Sequence, residues 1–263
     1  MSDIHPTALI DPNAEVDDSV SIGPFCIVEA GARIGKGCIL EAHSQICSSV
    51  TLGTENRVGR GTILGGPPQS IAFDRSLPSW VVVDQGNVFG EYITVHRSER
   101  EGGTTRIGKG NFFMAQSHVG HDCEVGNENI FANAVALAGH VQVEHRTFLS
   151  AGSLFHQFIR LGSLAMIHGN ARISQDVPPY CLALDYNEVK TLNVVGLKRS
   201  GMNAEVRAEI KKAFHLMYRQ GLAFPKALEL ADAQSWGPET QEFLDFFRKP
   251  SPKGICHFRR SRH

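Results

Sequence analysis

ALIDPNAEVDDSVSIGPFCIVEAGARIGKGCILEAHSQICSSVTLGTENRVGRGTILG, residues 8–65, decides the fold. Every sixth position from Ile10 is aliphatic: Ile10, Val16, Ile22, Val28, Ile34, Leu40, Ile46, Leu52, Val58 and Leu64. Two residues before each stands a small, β-branched or short polar side chain, from Ala8 and Ala14 through Cys26 and Cys38 to Asn56 and Thr62. A period of six matches neither the 3.6 of a helix nor simple strand alternation. It matches a solenoid of very short strands, with three hexads closing one triangular coil of about 18 residues and coils stacking as parallel strands about 4.8 Å apart. Gly23, Gly35, Gly53, Gly59 and Gly65 follow the large aliphatic, where a sharply turning backbone would favour a residue without Cβ.

The period lapses over residues 66–80 (GPPQSIAFDRSLPSW), whose three prolines mark a loop thrown out of the coil. It resumes at Val83, Phe89 and Val95, misses at Glu101 within a second excursion near 97–105, and runs on from Ile107 to Ile173. Loops longer than a repeat requires are more often functional than not. The segment QDVPPY, Gln175 to Tyr180, ends the ladder, and the pattern then turns helical. Asn203 is a fitting N-cap for a stripe of Val206, Ile210, Phe214 and Met217, while Pro225 and Pro238 can open two further helices. The expected organisation is a mainly β region over 1–186, a parallel β-helix, and a C-terminal α-helical domain over 187–263.

In all, 42% of the 263 residues are hydrophobic and 20% are charged, as in a water-soluble globular protein. No run approaches the ~18 apolar residues of a spanning helix, and residues 1–20 have neither a basic start nor an apolar stretch. A cytoplasmic protein with no integral membrane segment is expected. The six cysteines form no CxxC pair and read as reduced thiols. Residues 1–186 carry 12 Lys and Arg against 19 Asp and Glu, whereas residues 187–263 carry 14 against 8. Such an asymmetry suggests an acidic macromolecular partner for the basic end, although a solvated helical face gives the same count. Nucleic acid is not indicated by any motif.

The triangular coil also sorts the twelve histidines. Val119, Leu137 and Phe155 fall in one column, and beside it lie His118, His121, His140 and His156, on one face over three coils. His96, His145 and His168 are expected in other columns. A lone histidine on such a face is ordinarily a surface residue; four together favour chemistry. His121 precedes Asp122, a carboxylate able to fix the imidazole tautomer, as general-base catalysis requires. Gly139 follows His121 by one full coil and so lies directly above it, where its bare N–H could donate to a developing oxyanion. That set suits acyl transfer. Zinc held by histidines at a subunit contact is disfavoured by the absence of any His-x-His pair, and a purely structural solenoid remains an alternative.

The strings HVGHDCEVGNENIFANAVALAGHV (118–141), HQF (156–158), QDVPPY (175–180) and GLKR (196–199), with IGPFCIV (22–28) and TVHR (94–97), resemble the acyl-carrier-protein UDP-N-acetylglucosamine O-acyltransferases of lipid A biosynthesis over nearly the whole chain. The resemblance implies a left-handed parallel β-helix, a homotrimer with sites between subunits, and no metal or organic cofactor. It implies His121 as the base acting on the sugar 3-hydroxyl, Asp122 as its orienting partner and the Gly139 amide as the oxyanion donor. By the same resemblance His118, His140, His156, Gln157 and Gln69 would line the substrates, Asn193 and Arg199 would meet the nucleotide, and His168 with Gly169 would lie where acyl length is measured. The basic C-terminal region would receive the acyl carrier protein. Four positions depart from the family pattern: Ser70 and Ala72 replace an Asp and a Lys near the sugar nucleotide, Val195 an acidic residue, and Ser200 an Arg. Asp74 or Arg75 could substitute from the same loop. Since all four changes fall on the nucleotide side, the same transfer to another UDP-sugar, such as a 3-amino analogue, stays open, as does a non-catalytic scaffold binding carrier protein or nucleotide.

Overall fold

The computed structural model describes residues 3–259. Most strands are two residues long and belong to three sheets of twelve, nine and eight strands, parallel and visited in strict rotation as far as Arg172–Ile173. Register partners lie one lap apart: Ser21 opposite Ile39, Ile27 opposite Gln45, Arg33 opposite Thr51. The aliphatic of each hexad points inward, and from Ile22 to Ile173 these side chains are almost wholly buried. The chain is therefore a parallel β-helix.

Both excursions appear as longer laps. Ile63 pairs with Thr94 across the first and Thr94 with His118 across the second, after which the regular step returns with His118 opposite Ala136. A buried ladder carries the register across both interruptions. The Asn56 Oδ1 accepts from Asn87 Nδ2 at 3.0 Å, the Asn87 Oδ1 from Asn111 Nδ2 at 2.9 Å, and the Asn111 Oδ1 from Asn129 Nδ2 at 3.0 Å. Thr147 ends the ladder by donating its hydroxyl to Asn129. Beside it Phe89, Phe113 and Phe131 stack at 4.9 and 4.4 Å. Each amide side chain satisfies a buried neighbour, so a slip of one residue would leave several buried polar groups unpaired.

The hexad glycines serve a purpose other than the expected one. Of Gly23, Gly35, Gly53, Gly59 and Gly65, only Gly65 has a positive φ. The others sit where coils touch: a Cβ on Gly35 would lie 2.9 Å from the Gly53 carbonyl carbon, and one on Gly59 would strike the Gly90 carbonyl. The left-handed conformation falls two residues later, at Phe25, His43, Glu55, Asp122 and His140, with φ of 57–62°. Most of these corner residues are not glycine, so the stacked coils impose a backbone that their side chains disfavour.

The first sheet continues past the coil. Cys181–Leu184 pairs antiparallel with Glu188–Leu192, which pairs in parallel with His257–Phe258. Between these last strands lie α1 (Val194–Arg199), α2 (Ala204–Tyr218), α3 (Phe224–Asp232) and α4 (Pro238–Arg248). Asn203 caps α2 through the Val206 N–H, and Pro225 and Pro238 stand in the first turns of α3 and α4. The short α1 carries no sequence period and lies outside the expected helices. Its start is set by Asn193, whose Oδ1 accepts from the Gly196 N–H. Asp176 fastens the helical region to the coil: buried, it is bonded to Arg160 at 2.6 and 2.8 Å, while its N–H donates to the Gly254 carbonyl. The Arg160 guanidinium in turn lies over Phe246 of α4. Among the described residues no helix is long and apolar enough to cross a membrane.

Candidate active site

Asp122 occupies the left-handed corner after the strand His118–Val119, its side chain wholly buried. The second excursion folds over it. Ser98 donates its hydroxyl to Oδ1 at 2.6 Å, Arg100 donates Nε to the same oxygen at 2.9 Å, and the Glu99 N–H reaches Oδ2 at 3.1 Å. Burial alone would raise this carboxyl, but the bonds from Ser98, His121, Glu99 and Arg100 outweigh it and hold the group at about 2. An ionised carboxylate only accepts. The His121 Nδ1, 3.0 Å from Oδ2, must therefore carry the imidazole proton, leaving Nε2 with its lone pair toward the open side.

Gly139 lies against that ring, as the regular coil step requires: a Cβ there would stand 2.5 Å from His121 Nε2. The N–H groups of its neighbours Ala138 and His140 are bonded to the Phe155 and His121 carbonyls, whereas among the described residues the Gly139 N–H has no acceptor. His140 meets His121 edge to face at 5.1 Å and stacks on Phe158 at 4.4 Å. His118 shares a 2.8 Å bond with Thr94 and lines, with Ala138, His156 and Arg172, a groove of about 480 Å³. The expected four histidines thus share one side of the coil, His118 and His156 along the groove and His121 with His140 at its corner.

The expected column of His96 is corrected by the structure. His96 belongs to this group: Val95 pairs with Val119, and the rings of His96 and His118 meet at 4.8 Å. Counting in regular coils across the second excursion misplaces it, because that lap, from Thr94 to His118, is longer than the others. Desolvation, with smaller effects from His118 and His121, drives His96 down to about 4, and desolvation also lowers His118, so neither is charged near neutrality. His145 and His168 do lie elsewhere, at corners following the third and first sheets. Glu99 and Arg100 escape sequence reasoning entirely. Only the length of the excursion hints at them.

The remaining expected residues lie apart from the histidines. Gln69 is exposed and, with Arg75 and Arg97, lines a groove of about 1000 Å³ under the first excursion. Arg97 ties that loop down through the Leu77 carbonyl at 2.5 Å and the Arg75 carbonyl at 2.7 Å, with Phe73 beneath its guanidinium. Gln157 is exposed beside His156, and Arg199 is exposed at the end of α1. Asn193 is only 8% exposed, and both its polar atoms are engaged, Oδ1 by Gly196 and Nδ2 by the Leu164 carbonyl at 2.9 Å. In this conformation it shapes α1 rather than presenting a free amide. His168 is exposed and Gly169 half-buried, one lap beyond Ala151.

Glu99, His121, Asp122 and His140 hold their ligand-type atoms within 4.8 Å of one another, close enough to share a cation. Arg100 already supplies Asp122 with a positive charge, so the group reads as a proton-handling cluster built around an oriented imidazole.

Comparison with known proteins agrees with this reading. Residues 176–256 match the family model described as Udp N-acetylglucosamine O-acyltransferase, domain 2. An acyl-[acyl-carrier-protein]–UDP-N-acetylglucosamine O-acyltransferase of Anaeromyxobacter dehalogenans is 41% identical over 255 residues, covering 96% of this chain and 98% of its own. That of Paraburkholderia phymatum is 40% identical over 261 residues, covering 97% and 99%. The UDP-N-acetylglucosamine acyltransferase of Francisella novicida superposes with a TM-score of 0.92 at 31% identity, covering 98% of this chain and 95% of that one. The enzyme of Bacteroides fragilis gives 0.91 at 32%, covering 96% and 99%. The buried carboxylate, the imidazole it orients, the unpaired amide one coil above and similarity along almost the full length place this chain in the acyl-[acyl-carrier-protein]–UDP-N-acetylglucosamine O-acyltransferase family of lipid A biosynthesis.

Proposed function

We propose that this chain transfers a 3-hydroxyacyl group from acyl carrier protein to the 3-hydroxyl of UDP-N-acetylglucosamine, the first step of lipid A biosynthesis, with His121 as general base. The observation that carries this is the pairing of His121 Nδ1 with an ionised, buried Asp122, which leaves Nε2 as acceptor beside the unused Gly139 N–H. The sugar hydroxyl gives its proton to Nε2 as its oxygen bonds to the thioester carbonyl carbon. The carbonyl oxygen becomes an oxyanion that accepts from the Gly139 N–H. Collapse of the adduct breaks the carbon–sulfur bond, and the imidazolium returns the proton to the departing thiolate.

The groove beside His118 and His156 suits an acyl chain, being walled by Leu137, Leu154, Phe155 and Ile173. We infer sites shared between the subunits of a homotrimer, as the family resemblance implies. Lys211, Lys212 and His215 line a groove with Trp236 on the helical region and suit the acidic carrier protein, so association should weaken with salt.

A different UDP-sugar, such as a 3-amino analogue, is favoured by one observation. Asp74, the candidate replacement for the missing loop carboxylate, is exposed and turns Oδ1 back onto the Ser76 N–H and hydroxyl of its own turn at 2.9 and 2.7 Å. Purified protein incubated with 3-hydroxyacyl carrier protein and a panel of UDP-sugars separates these readings. Turnover of UDP-N-acetylglucosamine that vanishes in His121→Ala is expected; retained turnover refutes the base, and inactivity on every acceptor favours a scaffold.

A further inference from the structure

We propose that Glu99 is a positioning residue that holds the protonated form of His121 during transfer, completing a carboxylate–imidazole–carboxylate arrangement with Asp122. This rests on the reading of His121 as the base.

The Glu99 carboxylate stands on the reactive side of the ring, with Oε2 3.6 Å from His121 Nε2 and Oε1 3.4 Å from His140 Nε2. The first separation is too long for a hydrogen bond, and the neutral imidazole directs only a lone pair there. Once Nε2 takes the acceptor's proton it becomes a cationic donor facing a carboxylate, and the contact turns attractive. The interaction is thus stronger after proton transfer than before it, which is the kind that speeds a chemical step.

Asp122 cannot do this alone. Its charge is shared among Ser98, the Glu99 N–H and Arg100, and it addresses Nδ1 only. The lengthening of the lap supplies both parts at once: Arg100 and Ser98 fix Asp122 from behind while the intervening Glu99 turns its side chain to the front. The ionisable groups facing His121 are Asp122 on its own corner, Glu99 and Arg100 from the excursion, His140 from the next coil, and His118 with His96 from the adjoining strands. Desolvation keeps the last two neutral, and the Glu99 carboxylate is the group 3.6 Å from Nε2.

The test is the pH profile of kcat/KM for Glu99→Gln, which preserves size but removes charge. A less basic His121 moves the acidic limb down by about one pH unit and lowers the plateau about threefold, following Brønsted behaviour. The two profiles therefore cross, and below the wild-type limb the variant is about threefold faster than wild type. A uniform depression at all pH, or an unchanged profile, overturns the proposal. Repeating the pair in a His140→Gln background keeps the crossing if it belongs to His121, and its loss there also overturns the assignment. Activity retained by His121→Ala would instead defeat the base itself, so the two failures are distinguishable.

Discussion

Replacing Gly139 with alanine probes the site most directly, because the three atoms nearest the added methyl group all belong to His121, the proposed base. The φ of Gly139 lies outside the left-handed region, so the backbone accepts an L-residue without strain. The new Cβ would stand 2.5 Å from His121 Nε2, against about 3.5 Å for a comfortable contact, so the ring must retreat by about 1 Å. It cannot do so freely: Asp122 holds Nδ1, and His140 sits edge-on at 5.1 Å. A misplacement of about 1 Å costs roughly a hundredfold in rate, or about 2.7 kcal/mol of barrier. Acylated UDP-sugar, measured by mass spectrometry under kcat/KM conditions, should fall by that factor while circular dichroism and the melting temperature stay close to wild type. A variant that keeps its turnover within threefold would refute the stacking of Gly139 on a catalytic imidazole, and one that unfolds would refute the local character of the clash.

The folded Asp122 carboxyl titrates at about 2 against 3.8 ordinarily, so its ionised form contributes stability above the unfolded value, and that contribution is lost as pH falls from about 4 toward 2. Melting curves of wild type and Asp122→Asn should accordingly converge on acidification through that window; a constant gap would contradict the depressed value. Arg97→Ala frees the 66–80 loop from its carbonyl anchors, and hydrogen exchange should show faster exchange at residues 73–79, with KM for the sugar nucleotide rising more than kcat falls. Asp176→Ala strands the largely buried Arg160 and should cost about 3 kcal/mol in denaturant unfolding, with Arg160→Met restoring part of the loss in the double variant; a change below about 1 kcal/mol would refute the role of this pair as the fastening of the helical region.

The repeat is legible because each coil is a local rule applied many times. One aliphatic per hexad suffices to name the inward face, and the same arithmetic puts Gly139 over His121 without any coordinates. The rule fails where the chain leaves the coil. It assigns His96 to the wrong column because a sequence count cannot tell an excursion that lengthens the lap from one that leaves it unchanged. By position alone the glycines of the hexads read as turn residues although four of the five serve inter-coil contact, since positive φ and close approach leave the same mark in a sequence.

Periodicity by itself determined the solenoid, its inward column and its two interruptions, and the neighbouring Asp122 singled out His121 as the oriented imidazole, all consequences of order along the chain. Tertiary structure alone decided that Ser98, Glu99 and Arg100 wrap Asp122, that Arg97 pins the first excursion, and that Asn193 caps a helix. The loop contacts among these join residues more than a coil apart in sequence through segments without a period, where partners are chosen by the shape and unsatisfied polar groups of the coil beneath them.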